Sequence, residues 1–365
     1  MALYIGMLSG TSMDGIDVAL VDVSTHTLIA GITVPYNTKL RTKLLQIQDA
    51  GLLPLAQANQ LHIQLGQEFA IAVQQLLLQT QVATCDIAAI GSHGQTLVHA
   101  TDANYPYTVQ LGCGHVIAEM TGITVVADFR MRDIVLGGQG APFAPLYHHA
   151  LWGERRESMA IVNIGGIANV TFLDANGKLL SGYDTGPGNV LLDAWSRLHL
   201  DASFDHNGAW AASGKILPDL LAFLLTHQFL QRTPPKSACK SMFNLDILSN
   251  IDIAAYAPQD VQATLLQFTV ETIAMALSIH HQDSPLQRIL VCGGGVHNQT
   301  LMLALQANLA AIPVTSTTAL DIDADFLEAM LFAWMADCHL RKQAIDCTQL
   351  TGASKPAILG VMYPV

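Results

Sequence analysis

The chain has 365 residues, 51% apolar and only 13% charged, with a formal net charge of −12. That composition excludes a disordered chain and fits two buried cores better than one. An acidic balance with no Lys/Arg run argues against a nucleic-acid partner, and the absence of a basic leader or an unbroken apolar span predicts a soluble, cytoplasmic protein with no membrane partner.

The N-terminus reads as a meander: Leu3–Leu8, then the small-residue turn Ser9-Gly-Thr-Ser-Met-Asp-Gly15, then strands over Ile16–Val23 and Thr27–Val34. Two helices are predicted, Asn37–Gln48 and Ala56–Gln79; the second places Leu61, Leu65, Phe69, Ala72, Val73 and Leu76 inward. Ile87–Ile90 reads as a short buried strand with Ser92-His-Gly-Gln-Thr96 just beyond its end. A helix over Gly112–Thr121 and a strand over Ile123–Ala127 complete a parallel crossover. The loop Asp128–Pro145 contains Gly137-Gly-Gln-Gly140 and is the expected inter-domain crossing, with another near Thr351-Gly352.

A second meander then repeats the plan. Ile161–Ile164 leads through Gly165-Gly166 into Ile167–Leu173, and the Asn-Gly hairpin at 176–177 leads into a strand that delivers Asp184 to Thr185-Gly-Pro-Gly188. A helix over Asn189–Leu198 and a partly looped stretch from Asp201 to Asn250 follow. The helix Pro258–His281 turns Val261, Leu265, Phe268, Ile273, Met275 and Leu277 inward. Arg288–Cys292 reads as a strand ending in Gly293-Gly-Gly295, followed by a helix from Asn298, a strand at Pro313–Thr315 and a last helix, Asp325–His339. The terminal segment Ala357–Met362 is expected to return to the first lobe.

Two meanders with small-residue first turns suggest two related domains, each offering backbone N–H groups to phosphate oxygens. The first hypothesis is therefore a clamped nucleotide. The Gly10–Gly15 turn lacks the Lys of a P-loop and joins two strands; it is either a phosphate grip with Asp14 near a metal or an ordinary Asp-Gly turn. Asp184 is either a proton acceptor or a capping aspartate. His93, Gln95, Asp128 and Arg130 stand after buried strands, where α/β sheets hold ligands; the alternative is a core histidine and a structural ion pair. Gly293–Gly295 can admit a base or ribose, or serve tight packing. Asp325 and Glu328 have capping-box spacing. Six scattered cysteines without a Cys-x-x-Cys pair, and histidines without a metal-binding spacing, give no metal motif.

Taken together, these segments resemble the anhydro-N-acetylmuramic acid kinase family, of the actin/hexokinase/heat-shock ATPase superfamily. The matching pieces are Gly10-Thr-Ser-Met-Asp-Gly-Ile-Asp17, Ser92-His-Gly-Gln-Thr96, Ala127-Asp-Phe-Arg130 with Asp133, Gly137-Gly-Gln-Gly-Ala-Pro142, Asn163-Ile-Gly-Gly-Ile-Ala-Asn169, Tyr183-Asp-Thr-Gly-Pro-Gly-Asn189, Cys292-Gly-Gly-Gly-Val-His-Asn298 and, less tightly, Ala324–Met330. One departure stands out: where the family commonly has Ser-Thr-Gly-Arg-Glu after Pro-Pro-Lys, this chain has Ser237-Ala-Cys-Lys-Ser241.

The resemblance implies a two-lobed, actin/hexokinase-like (ribonuclease H-like) α/β fold of duplicated domains with a central ATP cleft: 1–130 with 351–365 as one lobe, 131–350 as the other. It implies an ATP- and Mg²⁺-dependent kinase that opens the anhydro bridge of 1,6-anhydro-N-acetylmuramic acid with water and phosphorylates O6, in bacterial peptidoglycan recycling. Asp184 would be the general base. ATP would be held by Gly10, Thr11, Ser12, Met13, Asp14, Gly15, Asn163, Gly165, Gly166, Asn169, Gly293, Gly294, Gly295 and Asn298. Asp14 would serve Mg²⁺, directly or through water; His93, Gln95, Arg130, Gln139, Gly186 and Glu328 would hold the sugar. A homodimer is compatible with the resemblance. An ordinary hexosamine kinase, or a slow ATP switch acting through a protein partner, would share the fold.

Overall fold

Both meanders form, and each seeds a sheet. The computed structural model describes the chain except Met1, Thr11, Ser12, Gly51, Leu52, Pro235, Cys239, Lys240, Ser241 and Ser284, and except the side chains of residues 48–50 and 281–283. Thr11 and Ser12, and Cys239–Ser241 of the divergent segment, therefore lie outside the described residues.

In the first unit, β1 (Leu3–Ser9), β2 (Gly15–Asp22) and β3 (Thr27–Pro35) pair antiparallel in chain order. Helices α1 (Thr38–Ala50) and α2 (Leu55–Thr80) lead into β4 (Ile87–Ala100), which lies parallel to β1. Strand β5 (Tyr107–Leu111) folds back on β4; α3 (Gly114–Thr121) then leads to β6 (Val125–Ala127), parallel to β4. The six inward residues predicted for α2 are all fully buried, against the inner face of this sheet. Helices α4 (Met131–Val135) and α5 (Ala144–Trp152) follow.

The second unit repeats the order. Strands β7 (Met159–Ile164), β8 (Ile167–Leu173) and β9 (Leu179–Pro187) form the meander. The turn between β8 and β9 is set by Asp174, whose Oδ1 accepts from the Asn176 and Lys178 amides at 2.8 Å, with Gly177 at φ +81°. Helices α6 (Val190–Leu200), α7 (Ala209–Ala212), α8 (Pro218–Leu224) and α9 (Pro258–Asp283) lead to β10 (Arg288–Cys292), parallel to β7. Helix α10 (Gln299–Asn308) then leads to β11 (Val314–Ser316), parallel to β10.

The chain closes with α11 (Leu327–Leu340), α12 (Thr348–Thr351) and β12 (Val361–Tyr363), which pairs antiparallel with β6. The strand orders are β12-β6-β4-β1-β2-β3, with β5 on β4, and β11-β10-β7-β8-β9. Counted from each meander, both sheets contain the order third-second-first-fourth-fifth with the same directions. This is the duplicated actin/hexokinase-like, ribonuclease H-like α/β fold.

Several expectations need correction. The units are 1–147 with 326–365, and 148–325, so residues 131–147 and 326–350 join the first unit. The reason is packing. Asp133 accepts from the Gly140 amide at 2.7 Å and the Thr351 hydroxyl at 2.8 Å, tying the Gly137–Pro142 loop and the Thr351 turn into one body. Helix α11 lies so close to β1 and β4 that a Cβ on Gly6 or Gly91 would strike the carbonyl oxygens of Ala329 or Phe332. The crossings thus fall within α5 and at Asp325/Phe326, not in the glycine-rich loop or near Thr351-Gly352.

Ser92–Thr96 lie inside a 14-residue β4, because β1 pairs with the strand as far as Gln95 and β5 takes over from Gln95 to Ala100. Met275 is 44% exposed, unlike its five predicted companions on α9. By length and composition alone α9 could cross a membrane, but 67% of that stretch is buried, and it is a core helix of the second unit. Helix α11 begins at Leu327 with Phe326 at its cap and no side-chain cap bond, so the Asp325/Glu328 capping box does not form. His297 instead donates Nε2–H to Asp325 at 2.8 and 3.0 Å.

Candidate active site

In the second unit, four neighbouring strands set a row of residues: Cys292 pairs with Asn163, Asn163 with Asn169, and Asn169 with Asp184. The row lies at the carboxyl ends of the parallel strands β7 and β10, where open α/β sheets keep their ligands. Asp184 lies within β9 and caps no helix, since α6 is capped at Asn189. Its amide donates to the Lys236 carbonyl at 3.1 Å, and its Oδ2 accepts from the Ala238 amide at 2.7 Å and the Ser237 hydroxyl at 3.3 Å. Burial pushes the Asp184 carboxyl up to about 6, against those two hydrogen bonds and the Lys236 charge. A carboxyl poised there is ionised at neutral pH yet basic enough to take a proton.

The turn after β7 is anchored from behind. The Gly166 carbonyl accepts from the Gly188 and Val190 amides at 2.9 and 3.1 Å, and the Gly165 carbonyl from the Asn189 amide at 2.8 Å. A Cβ on Gly165 would meet only the Ile167 carbonyl, at 3.6 Å, so the turn's other side is open.

The three glycines after β10 divide. Gly293, at φ +78°, sits against the Asn163 side chain, and a Cβ on Gly295 would strike Ile164; on Gly294 it would meet nothing. Gly294 opens into a cavity of about 470 Å³ lined also by Asn189, Asp193, Asp205, Asn207, His297 and Asn298. Asn298 has a structural duty as well, since its Oδ1 caps α10 by accepting from the Leu301 amide at 3.0 Å. Gly186 is buried with its α-carbon facing Thr272 of α9, a packing position.

In the first unit, Arg130 organises a polar cluster. Its Nε donates to His93 Nε2 at 2.8 Å and its Nη1 to the Gly140 carbonyl at 2.9 Å. Arginine has no acceptor, so His93 Nε2 must accept, and the imidazole proton sits on Nδ1, which donates to the Gly94 carbonyl at 3.0 Å. Burial, reinforced by the Arg130 charge, holds His93 well below the usual histidine range. The guanidinium itself is lowered to about 10 by burial, while Glu328 and Asp133 act to raise it. The Gln139 amide donates to the Thr351 carbonyl at 2.9 Å, leaving its exposed side chain on the same loop as Gly140. His93 also lines a cavity of about 230 Å³ with Ser92, Thr108, Asp128 and Met131.

Gln95 is wholly buried: it accepts from Ser9 Oγ at 2.7 Å and donates to the Gly10 carbonyl at 3.4 Å, so it stands behind the first turn. Met13, at φ +53°, turns its side chain into the core, and Gly15 opens β2 beside Val34. Asp14 is exposed and paired with Arg41 at 2.5 Å; Arg41 Nε also donates to the Met13 carbonyl at 3.2 Å.

A family model described as anhydro-N-acetylmuramic acid kinase matches residues 2–365. A protein of that name from Legionella pneumophila (strain Paris) is 48% identical over 365 residues, covering 100% of this chain and 99% of its own. The chain belongs to the anhydro-N-acetylmuramic acid kinase family. An anhydro-N-acetylmuramic acid kinase from Aliivibrio fischeri is 44% identical over 367 residues, covering 100% of both chains. Among solved structures, the (R)-2-hydroxyglutaryl-CoA dehydratase component A of Acidaminococcus fermentans superposes with a TM-score of 0.50 at 11% identity, covering 92% of this chain and 97% of its own. That likeness speaks to the fold alone.

Beside the residues the motifs single out, the structure adds Arg41, Asp193 and Asp205, and it brings Lys236, Ser237 and Ala238 of the divergent segment to Asp184. Asp205 carries a readable signal: Asp205-His-Asn-Gly208 is a turn sequence, and its carboxylate accepts from the Trp210 and Ala211 amides at 2.9 Å. The divergent segment gives no such signal. As for cofactors, the 470 Å³ cavity beside Gly294, lined by Leu192 and Phe204 as well as by polar side chains, fits a nucleoside. Among the described residues there is no cluster of three metal-ligating side chains, and the one exposed carboxylate at the first turn shares an oxygen with Arg41. Asp14 is thus the first-turn carboxylate that would face a metal ion, and it would do so from its pairing with Arg41.

Proposed function

We propose that the chain is an ATP-dependent kinase that hydrolyses the anhydro bridge of 1,6-anhydro-N-acetylmuramic acid and phosphorylates O6. The products are N-acetylmuramic acid 6-phosphate and ADP, a step of peptidoglycan recycling in the bacterial cytoplasm. The observation that carries this reading is Asp184: a carboxyl at the end of the second sheet's asparagine row, raised to about 6, in a chain matched by the family over residues 2–365.

Asp184 takes a proton from the water that attacks C1. The C1–O6 bond breaks, and O6 carries its electron pair to the γ-phosphorus. In the second unit, Asn163, Asn169 and the amides of Gly165 and Gly166 hold phosphate, while Gly294 and the cavity beside it take the nucleoside. In the first unit, the Gly10–Gly15 turn contacts phosphate, and Asp14 would hold Mg²⁺, which when bound neutralises phosphate charge. Arg130 is oriented by His93 and Gly140, so Nη2 is the nitrogen left to reach a sugar oxygen or the lactyl carboxylate. Glu328 and Gln139 are further sugar contacts.

The experiment is ADP release measured with ATP and either the anhydro sugar or N-acetylmuramic acid. Release that needs the anhydro sugar supports the reading. Release with N-acetylmuramic acid alone refutes it.

A further inference from the structure

Residues 236–238 are in contact with Asp184, 52 to 54 positions away in sequence. The contacts hold it at two levels. The Asp184 amide donates to the Lys236 carbonyl, which fixes the backbone; the Ala238 amide and the Ser237 hydroxyl both donate to Oδ2, which fixes the carboxylate. Neither donor reaches Oδ1. An oxygen that already accepts two hydrogen bonds has its lone pairs stabilised, so the proton goes preferentially to its twin. The Lys236 ammonium lies 4.8 Å from the centroid of the Phe229 ring, which the Arg232 guanidinium also approaches at 5.8 Å, so Lys236 acts on the carboxylate through its charge.

We propose that residues 236–238 are a clamp that commits Oδ2 of Asp184 and leaves Oδ1 as the oxygen that takes the proton, with Ser237 as a positioning residue. The proposal rests on reading Asp184 as the general base. The charged groups around Asp184 are few. Lys236 acts on it directly, and Arg232 acts on Lys236. Its neighbour on β8 is the uncharged Asn169. On α9, which packs on β9, Glu271 is engaged by Gln267 and Asn308, and His280 contacts Ser181 and Phe172.

The test is a ¹³C NMR titration of the Asp184 carboxyl in the full-length protein, assigned with Asp184→Asn, alongside kcat against pH and ATP affinity. Ser237→Ala removes one donor; Asp184 should titrate about half a pH unit higher, the acid limb of kcat should move with it, and ATP affinity should stay unchanged. Ser237→Thr keeps the hydroxyl and should restore both. Ala238→Pro removes the amide donor and should shift the midpoint further. An unmoved midpoint in folded Ser237→Ala overturns the clamp, whatever Ala238→Pro does. So does a moved midpoint with an unmoved acid limb. The titration decides the clamp even if the protein proves not to be a kinase. Full turnover in Asp184→Asn would instead refute the base assignment.

Discussion

Asp184 carries the most direct consequences. A general base works ionised, so the rate should rise with pH through about 6 and level off above it. Asp184→Asn keeps the shape but removes the base. Turnover should fall roughly 100-fold or more while ATP binding is retained, as calorimetry would show. The same shift bears on stability. The folded carboxyl binds its proton more tightly than an unfolded one, so folding becomes less favourable as pH rises from about 4 through about 6. Asp184→Asn is free of that cost, and at pH about 8 should melt above the wild type; the advantage should vanish below pH about 4. Much of this was legible in sequence, since a strand running into Asp-Thr-Gly-Pro-Gly marks the residue. The segment holding Ser237 and Ala238 stood out as divergent, but its contact with Asp184 was not legible, nor was Arg41 beside Asp14. No local rule connects residues so far apart, and the hydrogen bonds exist only once the chain has folded. At Arg130, substitution by Met should raise KM for the sugar at least tenfold, as expected when a charged hydrogen-bond donor is lost, with a smaller change for ATP.

At the scale of elements, glycines separate ligand contact from packing. A Cβ at Gly294 meets no protein atom, so Gly294→Ala should weaken ATP binding with little change in melting temperature. Gly293→Val, at φ +78° against Asn163, should lower the melting temperature as well. Equal effects of the two would mean that the cavity beside Gly294 is not where the nucleotide binds. Gly6→Ala and Gly91→Ala should each cost about 1–3 kcal/mol or more in chemical denaturation, because α11 would have to lift from β1 and β4. The meanders and long helices were readable from periodicity. Helix ends and strand lengths depended on partners: β1 and then β5 extend β4 past Ile90, and His297 draws Asp325 away from the cap of α11. Spacing records what a residue can do locally, and a competing tertiary partner decides whether it does so.

For the whole molecule, duplication was visible in two meanders with small-residue first turns, and the shared strand order bears it out. The boundaries were not visible, because glycine content marks where a chain can bend and not which body it packs on. The Gly137–Pro142 loop is tied to Thr351 through Asp133, and α11 sits on the first sheet although it follows the last strand of the second unit. The reaction joins a hydrolysis to a phosphoryl transfer, and the composition of the product tests that joint event most directly. With ATP and 1,6-anhydro-N-acetylmuramic acid, mass spectrometry should find one product, heavier than the sugar by one phosphoryl group plus one water. It should form in equal amount to ADP, and roughly 100-fold or more slowly with Asp184→Asn. A product that has gained the phosphoryl group without the water, or ADP released with the anhydro sugar unchanged, would contradict the account.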